Sequence, residues 1–159
     1  MKILLAVDSS DSSRAAAEEV ARRPWPGGSR LRVLTVIDLP RIPVSPELDL
    51  ENYREDISRV LETAARAHAQ RLIDNAVAAV AEGPGGLIIT AKILTGSPKL
   101  RILDEAEKWG ADLVVVGAHD YRGAERVMFG SVSQAVAVNA RCSVEIVRRR
   151  QPSKKGGNR

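Results

Sequence analysis

Residues 112–133 read DLVVVGAHDYRGAERVMFGSVS. The run from Leu113 to Val116 is densely aliphatic and is bounded by Asp112 and Gly117. That pattern suits a short strand buried on both faces. A polar loop comes next, holding Gly117, Asp120 and Gly123, and then Gly130 and Ser131 open a helix that runs through SQAVAVNA. A strand, a glycine-bearing loop, a glycine, a hydroxyl and a helix N-terminus together present unbonded backbone N–H groups to an anion. The stretch therefore reads as one β–loop–α unit of a parallel sheet, with a nucleotide-phosphate site at its turn.

Toward the N-terminus the same alternation repeats. Residues 3–7, ILLAV, read as a buried strand closed by Asp8, and the cluster SSDSS offers N-caps for the helix RAAAEEVARR. Pro24, Pro26 and two glycines stop that helix, and RLRVLTVI at 30–37 reads as the second strand. The proline-rich stretch DLPRIPVSPELDL reads as a loop able to lie over a pocket. A long helix is expected from Glu51 to Ala81, with Ile57, Leu61, Ala65, His68, Leu72, Ala76 and Val80 as its inner stripe.

LIITAKIL at 87–94 alternates, with Ile89, Ala91 and Ile93 on one face and Thr90 and Lys92 on the other, as expected of an edge strand. TGSP starts the next helix, with Ser97 as N-cap and Pro98 at the first helical position, and Gly110 ends it. SVEIVR is the last strand. The order βαβαβαβαβ requires a parallel sheet with helical crossovers, in one domain without internal repeats.

Composition agrees. A chain of 159 residues with 44% hydrophobic but only 3% aromatic residues builds its core from Val, Ile, Leu and Ala. Scarce aromatics also argue against single-strand nucleic-acid binding, which uses base stacking, and no nucleic-acid partner is expected. The net charge of +4 is a property of the tail. Residues 148–159 carry six of the 24 basic residues and no acid, which leaves 18 against 20, a net of −2, for residues 1–147. RRRQPSKKGGNR reads as a basic, disordered tail. The lone Cys142 cannot form an internal disulfide, and it reads as a small buried residue. No apolar run approaches membrane-spanning length and MKILLAVDSSD is too short for a signal peptide, so a cytoplasmic location is expected.

In an open parallel sheet, ligands collect beyond the carboxyl ends of the strands. Val7–Asp8, Ile37–Asp38 and the loop after the fourth strand converge there. At this point the chain resembles the universal stress protein family, whose ATP-binding members carry G-x2-G-x9-G-[ST]. The same spacing here falls on Gly117, Asp120, Gly130 and Ser131. AVDSSDSSRAA, TGSPKLRILDEAEKWGADLVVVGAH and GSVSQAVAVNARCSVEIVR carry the likeness over nearly the whole body.

The resemblance implies an open doubly wound, flavodoxin-like α/β fold of five parallel strands in the order 3-2-1-4-5. It spans residues 1–148, with the basic tail 149–159 beyond it. It further implies an ATP site, with Asp8 approaching the adenosine and the backbone at Val36 or Ile37 bonding the adenine edge. Gly117 would pass under the ribose and phosphates, and Gly130, Ser131 and Ser133 would cradle the phosphates. Val116 and Val132 adjoin these positions, and His119, from its place in the loop after the fourth strand rather than from the resemblance, is a candidate phosphate or ribose contact. Mg2+ would travel with the triphosphate rather than sit in a protein cage. The resemblance also implies a homodimer through the last strand, apolar at Val144, Ile146 and Val147.

Asp120 stands where the motif has its second glycine. A carboxylate about 4 Å from phosphate at an effective dielectric near 20 costs on the order of 4 kcal/mol before relaxation. Arg122 and Arg126 are placed to offset part of it. Two alternatives therefore stand beside nucleotide binding: a dimeric interaction module without nucleotide, and a slow ATPase. No catalytic residue is assigned, because the chain has no G-x-S-x-G, no G-x4-G-K-[ST] and no G-x-G-x-x-G after the first strand. Neither histidine has a metal-ligand neighbour in sequence. His68 reads as packed or facing a partner. Arg22, Arg23, Lys99 and Arg101 read as solvated helix faces.

Overall fold

A computed structural model of the chain describes residues 1–39, 51–84, 86–118 and 130–149, with side chains from residue 56 onward in the long second helix. Strands and helices alternate: β1 (Lys2–Ala6), α1 (Asp11–Arg22), β2 (Arg30–Ile37), α2 (Glu51–Ala81), β3 (Ile88–Thr95), α3 (Pro98–Trp109), β4 (Leu113–Gly117), α4 (Ser131–Asn139) and β5 (Ser143–Val147). All neighbouring strands are parallel, in the order β3-β2-β1-β4-β5. This is the expected doubly wound sheet. Most element ends fall within a residue or two of the expected positions. α1 begins three residues earlier than expected, because the serine cluster joins its first turn.

The period-two alternation of β1 divides the core. Ile3 and Leu5 pack with Ala16, Ala17 and Val20 of α1 and Ile73, Ala76 and Val80 of α2. Leu4 faces the other way, toward Ile102 and Ala106 of α3 and Val136 of α4. All three β1 side chains have no exposed surface, and each contributes roughly 1.5–3 kcal/mol through burial. Lys2 and Asp112 lock the start of the central pair, with Lys2 N donating to Asp112 Oδ2 at 2.7 Å and Asp112 N to the Lys2 carbonyl at 2.8 Å. Gly110 stops α3 in a left-handed conformation (φ 67°) that favours glycine, its amide reaching the Ala106 and Glu107 carbonyls.

The inner stripe expected on α2 holds at Leu72, Ala76 and Val80 and is corrected toward the N-terminus. Ala69, Ile73, Ala76 and Val80 are the buried line, whereas Ile57 and Leu61 are 37% and 44% exposed and His68 is exposed rather than packed. The reason is geometric. A helix of 31 residues is about 46 Å long, against about 26 Å for the eight-residue strands β2 and β3 that it covers, so its first turns have no sheet beneath them.

Arg23 is also not a solvated helix residue. Its guanidinium donates to both oxygens of Glu145 on β5, each at 2.6 Å, and to Glu19 at 3.0 Å. Burial opposes this charge, yet the Glu145 and Glu19 bonds raise the Arg23 pKa above its ordinary value. Arg101 Nε caps the Thr95 carbonyl at 2.9 Å.

β3 is an edge strand with Ile89 and Ile93 packed inward, as expected, but Lys92 is not simply solvated. Its ammonium lies 2.7 Å from Glu105 Oε2, and Arg32 bonds Oε1 of the same carboxylate while stacking on Trp109, 4.4 Å from the ring centroid. Glu105 is buried, which works to raise its pKa; Lys92 and Arg32 overcome that and hold it below its ordinary value.

Candidate functional site

The carboxyl edge of the sheet is assembled around the end of β1. Val7 N donates to the Leu34 carbonyl at 2.8 Å, and the buried Thr35 hydroxyl donates to the Val7 carbonyl at 2.7 Å. Those bonds carry the β1–β2 pairing one residue beyond the strand and deliver Asp8 to the surface. Asp8 Oδ1 there accepts from Ser10 N at 2.9 Å and from the Ser10 hydroxyl at 2.5 Å. Ser10 caps α1 by accepting from Ser13 N at 3.1 Å, and Ser13 Oγ accepts from Asp8 N at 2.9 Å. The SSDSS cluster thus satisfies donors that open the helix and fixes the Asp8 carboxylate at the rim.

Val36 and Ile37 end β2, and Val116 and Gly117 end β4, on either side of β1. Val36 is half-buried; Ile37 and Val116 are buried. Gly117 lies directly against the start of α1. A Cβ on it would stand 2.5 Å from Ser13 N, 2.6 Å from the Ser12 carbonyl carbon and 2.8 Å from Ser12 Oγ. This contact alone accounts for a glycine at the position, beside the ligand role that the motif implies. Ala118 N donates to the Val147 carbonyl at 2.7 Å, carrying the β4–β5 pairing past the strand end.

Gly130 is the N-cap of α4 at φ −60°, a conformation open to any residue, and it is buried. Ser131 is exposed, Val132 half-buried and Ser133 buried. The Ser133 hydroxyl donates to the Gly130 carbonyl at 2.9 Å and so serves the helix turn itself. The fold therefore brings Asp8, Val36, Ile37, Val116, Gly117, Gly130, Ser131, Val132 and Ser133 to one edge of the sheet. His119 and Asp120 lie outside the described residues, as do Gly123, Arg122 and Arg126.

Sequence reasoning missed a cation pair at this edge. Asp11, in the first turn of α1, accepts from Arg14 at 2.6 Å on Oδ1 and from Arg149 at 2.6 Å on Oδ2. The Arg14 partner is legible from its spacing of three; Arg149 is not, being 138 residues away.

At the opposite edge a hollow of about 230 Å³ lies between the ends of α3 and α4, lined by Ala106, Ala111, Asn139, Arg141 and Cys142 among others. Cys142 is half-buried rather than fully buried. Burial, and then the Asp112 carboxylate, push its thiol pKa up. Among the described residues no group of three or more His, Cys, Asp or Glu side chains could hold a metal ion, and no helix is long and apolar enough to cross a membrane.

Comparison with known proteins agrees with this geometry. The sequence model of the universal stress protein family matches residues 1–148. A universal stress protein of Methanocaldococcus jannaschii is 32% identical over 150 residues, covering 93% of this chain and 82% of the relative. The solved universal stress protein UspA of Lactobacillus plantarum superposes with a TM-score of 0.73 at 30% identity, covering 93% of this chain and 97% of that one. A universal stress protein family member from Arabidopsis thaliana, solved with AMP bound, shares the fold with a TM-score of 0.60 at 22% identity, covering 97% of each chain. Because the family match runs from before β1 to just beyond β5, this chain belongs to the universal stress protein family.

Proposed function

We propose that this stress protein binds an adenine nucleotide, ATP in the first instance, at the carboxyl edge of its sheet, and acts through a nucleotide-dependent interaction rather than by turnover. One observation carries the reading: the ends of β1, β2 and β4 and the N-terminus of α4 meet at a single edge. In this reading Asp8 meets the ribose, and the backbone of Val36 and Ile37 meets the adenine edge. Val116 and Gly117 pass beneath the sugar. The amides of Ser131, Val132 and Ser133 face the phosphates, where the helix dipole favours negative charge. The amides rather than the Ser133 hydroxyl form the cradle, since that hydroxyl is engaged with Gly130. Mg2+ comes with the nucleotide, held by phosphate oxygens and water. The AMP-bound Arabidopsis fold relative supports the choice of adenine.

The protein acts as a homodimer through β5, in the cytoplasm. β5 occupies one edge of the sheet, and Val144, Ile146 and Val147 pack against its own core, so the pairing would use the strand's backbone. Sedimentation at micromolar concentration tests this; a monomer overturns it.

Titration calorimetry of ATP, AMP and adenosine, with the unaltered chain and with Asp120→Gly, tests the nucleotide reading. Binding is expected for both, with Asp120→Gly on the order of tenfold tighter for ATP as the repulsion is relieved. Failure of both chains to bind ATP and AMP sinks the reading and leaves a second one, a dimeric interaction module without nucleotide. Asp120 in the glycine position is the observation that favours the second reading.

A further inference from the structure

β3 ends the sheet on one side with most of its outer backbone unused. Ile88 N donates to the Ser29 carbonyl at 3.1 Å and Gly96 N to the Ile37 carbonyl at 2.9 Å. Alternate residues of a parallel strand bond the same neighbour, so the even-numbered residues from 88 to 96 turn their main chain to β2. Ile89, Ala91 and Ile93 turn their N–H and C=O groups outward, and among the described residues nothing bonds them. Arg101 Nε, on the Thr95 carbonyl at 2.9 Å, marks where the open stretch ends.

Sheet edges are commonly guarded by charge, proline or a bulge. IITAKILT has no proline or glycine, and its single charge, Lys92, is turned onto Glu105 at 2.7 Å. Ile88 is 54% exposed, and Ala91 is exposed as well. At eight residues the strand is longer than the five-residue β5 at the other edge. An edge this long and this apolar recruits another strand.

Register decides which strand fits. Ile89 and Ile93 lie on the α2 side of the sheet and Leu94 on the α3 side. Opposite residues of an antiparallel pair share a face, so two copies related by a two-fold axis through the sheet must centre on one residue of β3. Centred on Lys92, the two ammonium groups oppose each other, and Ile89 needs the Thr95 carbonyl that Arg101 already holds. Centred on Thr90, Lys92 faces Ile88. Centred on Ala91, Ile89 meets Ile93 of the second copy, Ile88 meets Leu94, Thr90 meets Lys92, and the small Ala91 meets itself. The outward-facing residues Ile89, Ala91 and Ile93 then form about six main-chain hydrogen bonds across the axis.

We propose that β3 is a self-pairing edge, to which a second copy of this chain adds antiparallel about a two-fold axis at Ala91, joining the two sheets into one. β3 and β5 lie at opposite edges, so this contact neither needs nor blocks pairing through β5. Where both form, the assembly grows beyond a dimer as concentration rises.

The test reads the axis directly. In this register the Ala91 Cα atoms of the two copies stand about 5.5 Å apart, within the roughly 4.4–6.8 Å that a disulfide spans. The Thr95 Cα atoms stand about 27 Å apart. Under mild oxidation, A91C/C142S is expected to form a disulfide-linked dimer on the order of tenfold faster than T95C/C142S. Ala91→Pro removes an outward N–H that β2 does not use, a placement that edge strands tolerate. It should leave the circular dichroism spectrum unchanged and weaken association of the full chain on the order of tenfold in sedimentation equilibrium. Equal crosslinking at the two cysteine positions overturns the proposal, as does unchanged association of a folded Ala91→Pro chain. Should Ala91→Pro fail to fold, the cysteine pair alone decides. If A91C/C142S stays monomeric alone yet crosslinks to a synthetic strand of alternating Val and Thr with a central Cys, the edge belongs to a foreign strand and self-pairing is overturned.

Discussion

Gly117 and Ser13 touch so closely that a methyl group on the Gly117 Cα would stand 2.5 Å from the Ser13 amide nitrogen. The two nearest atoms are backbone at the start of α1, which cannot swing aside as a long side chain could. Gly117→Ala is therefore expected to destabilise the fold by about 2–3 kcal/mol. Urea unfolding monitored by circular dichroism measures it. An unchanged midpoint would show that α1 can slide, and would return the glycine's role to ligand approach.

Glu105 predicts an acid response. Its folded pKa lies below the ordinary 4.5, so its pairing with Lys92 and Arg32 stabilises the protein fully above that value. The contribution is lost as pH falls through the lower folded value, where the carboxyl protonates in the native state. Glu105→Gln should cost about 1–3 kcal/mol at pH 7 and flatten the stability profile below pH 4.5. Parallel profiles for the two proteins would contradict the assignment.

Two substitutions on α2 separate its halves. Ile73 is 2% exposed in the core, and Ile73→Ala is expected to cost about 2–5 kcal/mol. Leu61 lies on the overhanging half, and Leu61→Ala should stay within about 0.5 kcal/mol. Comparable losses at both positions would mean that the first turns of α2 are covered in solution.

Arg23→Ala removes the bonds between the end of α1 and Glu145 of β5. With both groups partly exposed, the loss should be about 1 kcal/mol. Hydrogen exchange should quicken in β5 before it quickens in β1. Uniform acceleration across the sheet would argue that β5 is not held locally by this pair.

The scaffold was readable because its signals are short-range. Aliphatic runs such as Leu113–Val116 and the proline and glycine stops mark each element, and alternation of types leaves few ways to arrange a parallel sheet. The inner face of α2 was readable only over its second half. Ala76 and Val80 are buried and Leu72 packs on the core as expected, but Ile57 and Leu61 obey the same helical spacing, and nothing local says where the sheet beneath ends. Arg23, Glu105 and Arg149 were equally opaque, because their partners lie 122, 73 and 138 residues away along the chain. At the candidate site the positions were legible from strand ends, while the packing reason for Gly117 depended on how α1 crosses β4. His119 and Asp120 lie outside the described residues.

Lys2 and Asp112 bond across the middle of the sheet although 110 residues separate them. A ribosome adding roughly 5–20 residues per second takes roughly 5–20 s to make that interval. Throughout it, one flank of the innermost strand has no neighbour to bond with, even after β2 has closed the other. Such an open flank attracts other nascent chains. Recovery of this protein from cells should therefore track translation speed and chaperone supply, and surface substitutions that leave the finished molecule untouched could still change its yield.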